Sequence, residues 1–215
     1  MNLVGHVAVA LRDDTPAPDT EFLVGCMLPD LAAIARVRLA RPDGALGRGV
    51  AFHHACDEAF HESEWFRTHN RELRDQLIGA GIEPGPARAC SHAGVEMLLD
   101  GALVANRRVA ESATRTLDAV DANAADLAGL APPEARELLR ERLHLIGRSL
   151  DPQRYSDVQF VALRLHRMTS GRRRIELRLV HLETVSQALS RLQSAIVDDA
   201  AAVLDSVAAR APAPG

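Results

Sequence analysis

Residues 49–66 read GVAFHHACDEAFHESEWF. Nothing in this stretch after its first glycine breaks a helix, so we predict that it belongs to one long helix over 48–79. In a helix, His53, Asp57 and His61 follow one another at intervals of four residues. That spacing places all three on one face, with neighbours about 6 Å apart along the axis. The stretch therefore predicts a row of imidazole and carboxylate groups directed at one partner.

A second stretch repeats this spacing. Within residues 86–110, which we predict to form another helix, His92, Glu96 and Asp100 are again four residues apart. Two facing helices with such rows would supply ligands from both sides, which is how metal sites are built in helical interiors. One such pair alone would more simply be an ordinary intrahelical pair at the edge of a core. Two pairs on separate helices, each with the histidine first, favour a metal site.

The neighbours of the first row support the same interpretation. Phe52, Cys56 and Phe60 adjoin His53 and Asp57 on the predicted helix surface. A fully solvated face would not need these apolar side chains, and a fully apolar core would not accept an unpaired carboxylate. A cation resolves the conflict, because it neutralises the carboxylate and holds the imidazoles in place.

Three further residues are candidate metal ligands, and each also has a simpler structural interpretation. His6 lies in an apolar segment, 2–11, that we predict to be helical, and a histidine there is often a hydrogen-bonded core residue. Asp30 follows a Leu-Pro pair where we expect the helix over 21–36 to bend or restart, so it could be an N-cap. His61 fits equally well as a ligand and as a residue at the rim of the site.

Composition limits the class of protein. The 215 residues are 47% hydrophobic, enough for one sizeable core, and the net charge of −4 gives no basic surface for nucleic acid. Aromatic residues make up only 3%, which argues against a base-stacking surface. Three scattered cysteines suit a reducing compartment, and we find no secretion signal and no membrane-spanning run. We therefore expect a cytoplasmic protein with no nucleic-acid or membrane partner.

Helical spacing continues through the rest of the chain. We predict further helices over 111–129, 132–147, 152–169 and 175–209. No segment alternates convincingly as a strand. The prediction is an all-α, single-domain bundle of seven or eight helices over residues 1–210, with a disordered tail at 211–215. Loops are expected at 12–20 and 37–48. Whether the long last helix packs within one monomer or across a homodimer stays open.

A basic turn stands apart from the two rows. Arg172, Arg173 and Arg174 follow Gly171, and a short run of this kind is usually a solvated turn. Arg172 and Arg174 could instead bind a substrate phosphate through the guanidinium fork. Mixed histidine and carboxylate ligands suit Mn²⁺, Fe²⁺ or Zn²⁺, and such an ion lowers the pKa of bound water and polarises a phosphoryl oxygen. These features together favour hydrolysis of a phosphate ester.

Several different short motifs follow one another along both halves of the chain. They are MNxxxH at 1–6, GxxxxD at 25–30, GxxxHxxxD at 49–57, a later His92, YxDxxF at 155–160 and RMTSGRRRIEL at 167–177. In this order they resemble the acyl carrier protein phosphodiesterases, which belong to the HD-type metal-dependent phosphohydrolases. Residues 111–150 take no part in the resemblance.

The resemblance implies an HD-domain-like helical fold and Mn²⁺-supported hydrolysis of the phosphodiester that joins 4′-phosphopantetheine to a serine of acyl carrier protein. It implies catalytic roles for Asp30, His53 and Asp57, with Asp30 essential. Arg172 and Arg174 would face the anionic substrate. Together with the second row, the resemblance gives the set predicted to hold metal, not all of it necessarily at one ion: His6, Asp30, His53, Asp57, His92 and Glu96.

Two alternatives stay open. The two rows also resemble the zinc-dependent phospholipase C and single-strand nuclease group, which would make the chain a phosphodiesterase for another substrate. Cys26 and Ser91 stand where the acyl carrier protein phosphodiesterases often have Asn and Asp. A non-catalytic helical binding protein with a decayed site would show such departures. In an intact site, Glu96 or Asp100 would replace the missing Asp.

Overall fold

The computed structural model describes residues 1–12 and 18–211, and every regular element in those ranges is helical. The α-helices are α1 (Leu3–Ala10), α2 (Thr20–Ala35), α3 (Gly44–His61), α4 (Glu64–Gly79), α5 (Pro84–Leu103), α6 (Arg107–Ala122), α7 (Ala124–Ala128), α8 (Arg136–Ser149), α9 (Val158–Thr169) and α10 (Leu182–Ala208). Three short 3₁₀ helices lie at Pro133–Ala135, Pro152–Ser156 and Leu179–His181. The all-α prediction is confirmed, and the described ranges contain ten α-helices where seven or eight were predicted.

The predicted long helix over 48–79 is wrong, because it is two helices. α3 ends at His61 and α4 begins at Glu64. Between them, the Ser63 hydroxyl accepts a hydrogen bond from the backbone N–H of Phe66, so Ser63 caps the amino terminus of α4. A serine side chain in this position satisfies one of the free N–H groups at a helix start, which makes the break favourable.

Other helix boundaries also differ from the prediction. α2 continues through Pro29 rather than restarting there. The predicted helix over 86–110 ends at Leu103, and Asn106 caps a new helix with its side-chain oxygen. Residues 13–17 of the predicted loop and all but the first residue of the predicted tail at 211–215 lie outside the described ranges.

The elements that bear the predicted ligands pack closely together. Every residue of α1 is buried. α5 is buried on most of its surface and packs against α1, α4, α9 and α10. α2 and α3 form the most extensive helix pair, and α1 packs on both of them. The buried apolar side chains form one continuous cluster, so α1, α2, α3 and α5 meet around a single core.

No helix in the described part of the chain combines the length and apolar character that crossing a membrane requires.

Candidate metal centre

The predicted row on the first stretch lies entirely on α3. His53, Asp57 and His61 are all within Gly44–His61, and the row passes from the interior toward solvent. The His53 side chain is 3% exposed, whereas those of Asp57 and His61 are 29% and 30% exposed. α3 thus carries one buried imidazole and two polar groups that remain accessible.

A first group of ligand atoms comes from three different helices. His6 of α1, Asp30 of α2 and His53 of α3 each offer one donor atom, and these atoms all lie within 4.8 Å of one another. The His6 and His53 rings stack with centroids 3.8 Å apart, and His6 Nε2 lies 4.0 Å from Asp30 Oδ2. The structure therefore brings together three predicted ligands that are far apart in sequence.

Two glycines explain why α2 and α3 come close enough to form this group. A Cβ atom on Gly25 would lie 2.3 Å from the Leu46 carbonyl oxygen, and one on Gly49 would lie 2.1 Å from that of Phe22. Any side chain at either position would therefore collide with backbone. Asp30 follows Gly25 by five residues and His53 follows Gly49 by four, so the glycines of both sequence motifs set the approach of the helices just before the ligands.

A backbone hydrogen bond fixes the orientation of His53. Its Nδ1 lies 2.8 Å from the Cys26 carbonyl oxygen. Because a carbonyl can only accept, Nδ1 carries the proton, and Nε2 faces Asp57 Oδ2 at 3.5 Å. Metal-binding histidines commonly donate their second ring nitrogen to a backbone carbonyl in this way. The motif residue at 26 thus contributes its backbone, which any amino acid could supply.

Asp57 lies between several positive or donating groups. The Met1 ammonium donates to Asp57 Oδ1 at 2.6 Å, and His6 Nε2 lies 3.3 Å from the same oxygen. Burial raises the pKa of Asp57, but its contacts with His53 and His6 and the charge of the Met1 ammonium outweigh burial and hold it well below its usual range. Asp57 is therefore ionised throughout the physiological pH range.

A second group lies further along α3. His61 Nε2 and His92 Nε2 lie 2.8 and 3.2 Å from one oxygen, Glu96 Oε1. The donor atoms of these three residues also lie within 4.8 Å of one another. From the sequence, His61 fitted equally well as a ligand and as a rim residue. In the structure, His61 of α3 contacts the second row, which lies on α5. The two rows therefore meet, as two adjoining groups.

The Met1 ammonium lies between the two groups. Its nitrogen is 2.6 Å from Asp57 Oδ1 and 3.6 Å from Glu96 Oε1, and the residue is buried. Burial lowers the pKa of this ammonium, but the Glu96 and Asp57 carboxylates outweigh burial and raise it. Sequence reasoning missed this group, because a backbone amine has no residue-type signal.

Asp100 has a structural role that the sequence did not reveal. Its Oδ1 accepts from the Gly5 N–H at 2.8 Å, and its Oδ2 accepts from the Val4 N–H at 3.1 Å and from Asn2 Nδ2 at 2.9 Å. It thereby satisfies free N–H groups at the start of α1. A carboxylate at this end of a helix also interacts favourably with the helix dipole. Asp100 is fully buried and holds the helix that carries His6.

Burial shifts two groups in the first set in opposite senses. It lowers the pKa of His6 to about 3, so the imidazole is neutral at physiological pH. It raises the pKa of Asp30 to about 7, although His53 and the Met1 ammonium act in the opposite direction. A neutral imidazole can coordinate a cation. A nearby cation would also stabilise the ionised form of a carboxyl group whose pKa is raised.

Two unpaired atoms test whether the first group suits a metal. Asp30 Oδ2 and His6 Nδ1 are buried and have no hydrogen-bond partner. An unsatisfied buried polar atom costs about 1–3 kcal/mol. A divalent ion at the first group would give Asp30 Oδ2 its partner, and a mixed nitrogen and oxygen donor set suits Mn²⁺, Fe²⁺ or Zn²⁺. The described residues thus include two groups that could bind a metal ion.

The backbone of the basic turn meets the start of α5, and Ser91 lies further along the same helix. The Arg174 carbonyl oxygen packs against Gly85, where a Cβ would lie 2.1 Å away. Gly85 precedes His92 by seven residues, or about 10 Å of helix. Ser91 is buried, and its hydroxyl donates to Asn70 Oδ1 at 2.7 Å, so residue 91 belongs to the contact with α4. The phosphate-binding role of Arg172 and Arg174 stays a prediction.

Comparison of the chain with protein-family models, with curated proteins and with solved structures finds no match in any of the three.

Proposed function

We propose that the chain is a metal-dependent phosphodiesterase or phosphohydrolase with an HD-like helical fold. The observation that carries the proposal is the convergence of His6, Asp30 and His53 from three helices, with a buried carboxylate oxygen on Asp30 that lacks a partner. Burying such a group costs free energy, so its presence makes it a candidate for a functional role. The order of motifs resembling the acyl carrier protein phosphodiesterases supports the same class of reaction.

In this proposal His6, Asp30 and His53 hold the ion, with Asp57 beside them. Mn²⁺ is the expected metal, with Fe²⁺ or Zn²⁺ as the alternatives. The bound ion would supply Lewis acidity toward a phosphoryl oxygen and an acidified water. His53 is prepared for its role by the bond from Nδ1 to Cys26, which keeps Nε2 turned into the group.

The other residues of the set would act on the substrate side. Asp57 stays ionised and partly exposed, so it can accept a hydrogen bond from an attacking water and orient it. His92 is 48% exposed, so an ester could reach the second group from solvent. We propose that Arg172 and Arg174 offset the charge of the phosphate, because a guanidinium pairs with two of its oxygens.

The substrate that we propose is the phosphodiester between 4′-phosphopantetheine and a serine of acyl carrier protein. The support is the resemblance in motif order. The Ser91 hydroxyl is bonded to α4, whereas Glu96 on the same helix faces His61 and the Met1 ammonium. Glu96 therefore lies with His61 and His92, and not with His6, Asp30 and His53.

Hydrolysis of bis(4-nitrophenyl) phosphate with Mn²⁺ tests the class of reaction. We expect turnover by the wild-type chain, and a loss of at least about 100-fold in Asp30→Ala and His53→Ala. His144→Ala is the matched control, because His144 also pairs with a carboxylate, Asp121, but is not in either group. If both site variants keep wild-type turnover while folded, the proposal is wrong.

A second assay tests the substrate. Acyl carrier protein carrying 4′-phosphopantetheine is incubated with the chain and Mn²⁺, and the mass of the carrier protein is followed. We expect loss of the prosthetic group in wild type and not in Asp30→Ala. Cleavage of the generic ester with no change in the carrier protein would keep the hydrolase and reject this substrate.

A further inference from the structure

We infer that His61, His92 and Glu96 form a second divalent-cation site, separate from the one at His6, Asp30 and His53. This inference rests on the proposed function only for the identity of the first site. It is a statement about binding, so it can be tested without any assay of hydrolysis.

The geometry of the second group differs from that of an ordinary ion pair. Both imidazoles direct Nε2 at one oxygen, Glu96 Oε1, and their ring centroids are only 4.9 Å apart. The three donor atoms thus converge on one point from two helices. A cation at this point would bind both Nε2 atoms and the carboxylate together.

An aromatic side chain holds this arrangement in place. Phe66, from the first turn of α4, packs on both imidazoles, with ring centroids 4.8 Å from His61 and 5.1 Å from His92. Phe66 itself is 4% exposed, so it is fixed by the core. Preset rings lose less entropy when they bind a ligand, and the apolar wall strengthens the electrostatic attraction of the site. The break between α3 and α4 is what brings this side chain to the site.

The chemistry of the group indicates which ligand it takes. Two histidines and one glutamate are the protein ligands of many zinc sites that keep a coordination position open. His61 and His92 are 30% and 48% exposed, so the open position would face solvent. Zn²⁺, Mn²⁺ and Co²⁺ all suit this donor set, whereas Ca²⁺ prefers oxygen alone.

The second site would adjoin the first without sharing a ligand. Asp57 Oδ1 and Glu96 Oε1 both contact the Met1 nitrogen, at 2.6 and 3.6 Å. This nitrogen neutralises part of the charge of both carboxylates and separates the two groups. A substrate with two anionic oxygens could therefore meet cations on both sides.

Counting bound Co²⁺ tests the second site directly. The full chain is stripped with chelator, titrated with Co²⁺ by calorimetry, and analysed for metal content after dialysis. We expect two ions per chain in wild type and one in a His61→Ala, His92→Ala double variant. His53→Ala is expected to keep the second ion and lose the first. His144→Ala, which alters an isolated His–carboxylate pair of similar exposure, should keep both ions.

The outcomes separate this inference from the proposed function. A wild-type chain that saturates at one ion overturns the second site, as does a double variant that still binds two. Two ions in a chain that hydrolyses no ester keep the second site and reject the hydrolase. Because His61 and His92 are partly exposed, the double variant should fold, and circular dichroism checks this. If the double variant is unfolded, the single variant His92→Ala replaces it in the metal count, and one ion per chain is again the expected result.

Discussion

At the scale of single residues, the pH response of the chain is concentrated in buried groups. Burial lowers the pKa of His6 from 6.5 to about 3. Between these values the unfolded chain binds a proton at this residue and the folded chain does not. Stability from His6 is therefore complete above pH 6.5 and falls with falling pH, by up to about 1.4 kcal/mol per pH unit.

We predict that His6→Gln flattens this dependence. Urea unfolding in chelator at pH 6.5 and pH 5 should show a larger loss of stability for wild type than for the variant. The difference between the two proteins is the readout, because Asp30, whose pKa burial raises to about 7, acts in the opposite sense in both. Parallel curves for the two proteins would show that His6 is not held neutral by burial.

The sequence located most residues of the two candidate groups but not their division. The four-residue spacing found His53 and Asp57 on one helix, and His92 and Glu96 on another, because one helical turn brings such pairs to the same face. It did not show that His61 joins the second pair. That depends on how α3 and α5 cross, which is a property of packing. The capping role of Asp100 was missed for the same reason.

At the scale of elements, the approach of α2 and α3 controls the first group. A Cβ on Gly49 would lie 2.1 Å from the Phe22 carbonyl oxygen. We predict that Gly49→Ala forces the two helices apart and costs about 1–3 kcal/mol of stability. It should also weaken metal binding, since Asp30 and His53 would separate. Thermal unfolding and calorimetric titration with Mn²⁺ measure the two effects.

Gly79→Ala is the control for this experiment. Gly79 ends α4 and has no atom within 4 Å of the position that a Cβ would take. The same substitution there should leave metal affinity unchanged and stability equal or up to about 1 kcal/mol higher. Equal behaviour of the two glycine variants would show that the crossing of α2 and α3 is not tight.

Two helix boundaries show where local sequence signals compete. The pair Ser63-Glu64 is a typical helix start, but the apolar spacing on both sides of it suggested one continuous helix. Pro29 suggested a bend or a restart in α2, and the helix continues through it. Proline removes one hydrogen bond from a helix interior, and packing of α2 against α3 can offset that loss. Caps and packing, rather than periodicity, decided both cases.

At the scale of the whole molecule, ions at the two groups would join distant parts of the chain. The ligands come from α1, α2, α3 and α5. We predict that Mn²⁺ at about 100 times its dissociation constant stabilises the fold by about 2.7 kcal/mol for each site that it fills, which raises the melting temperature by several degrees. Differential scanning calorimetry with chelator and with Mn²⁺ measures the shift. Ca²⁺ is the comparison, because it has little preference for imidazole; equal melting temperatures in all three conditions would refute the prediction.

The class of the fold was accessible from the sequence, and the number of helices was not. Period-3.6 spacing without strand-like alternation indicated an all-α chain, because that pattern reflects which faces are buried. Short breaks such as Asn123, between α6 and α7, change the count without changing the pattern. These breaks between helices depend on how each segment packs against its neighbours.

One consequence follows from the position of His53, Asp57 and His61 on a single helix, α3. If α3 rotates about its long axis, all three side chains swing together, in the same direction. Phe66 already holds the imidazole at the outer end, so an ion at the inner end adds little to its order. The two groups should therefore load independently, and the isotherm should fit two sites without cooperativity.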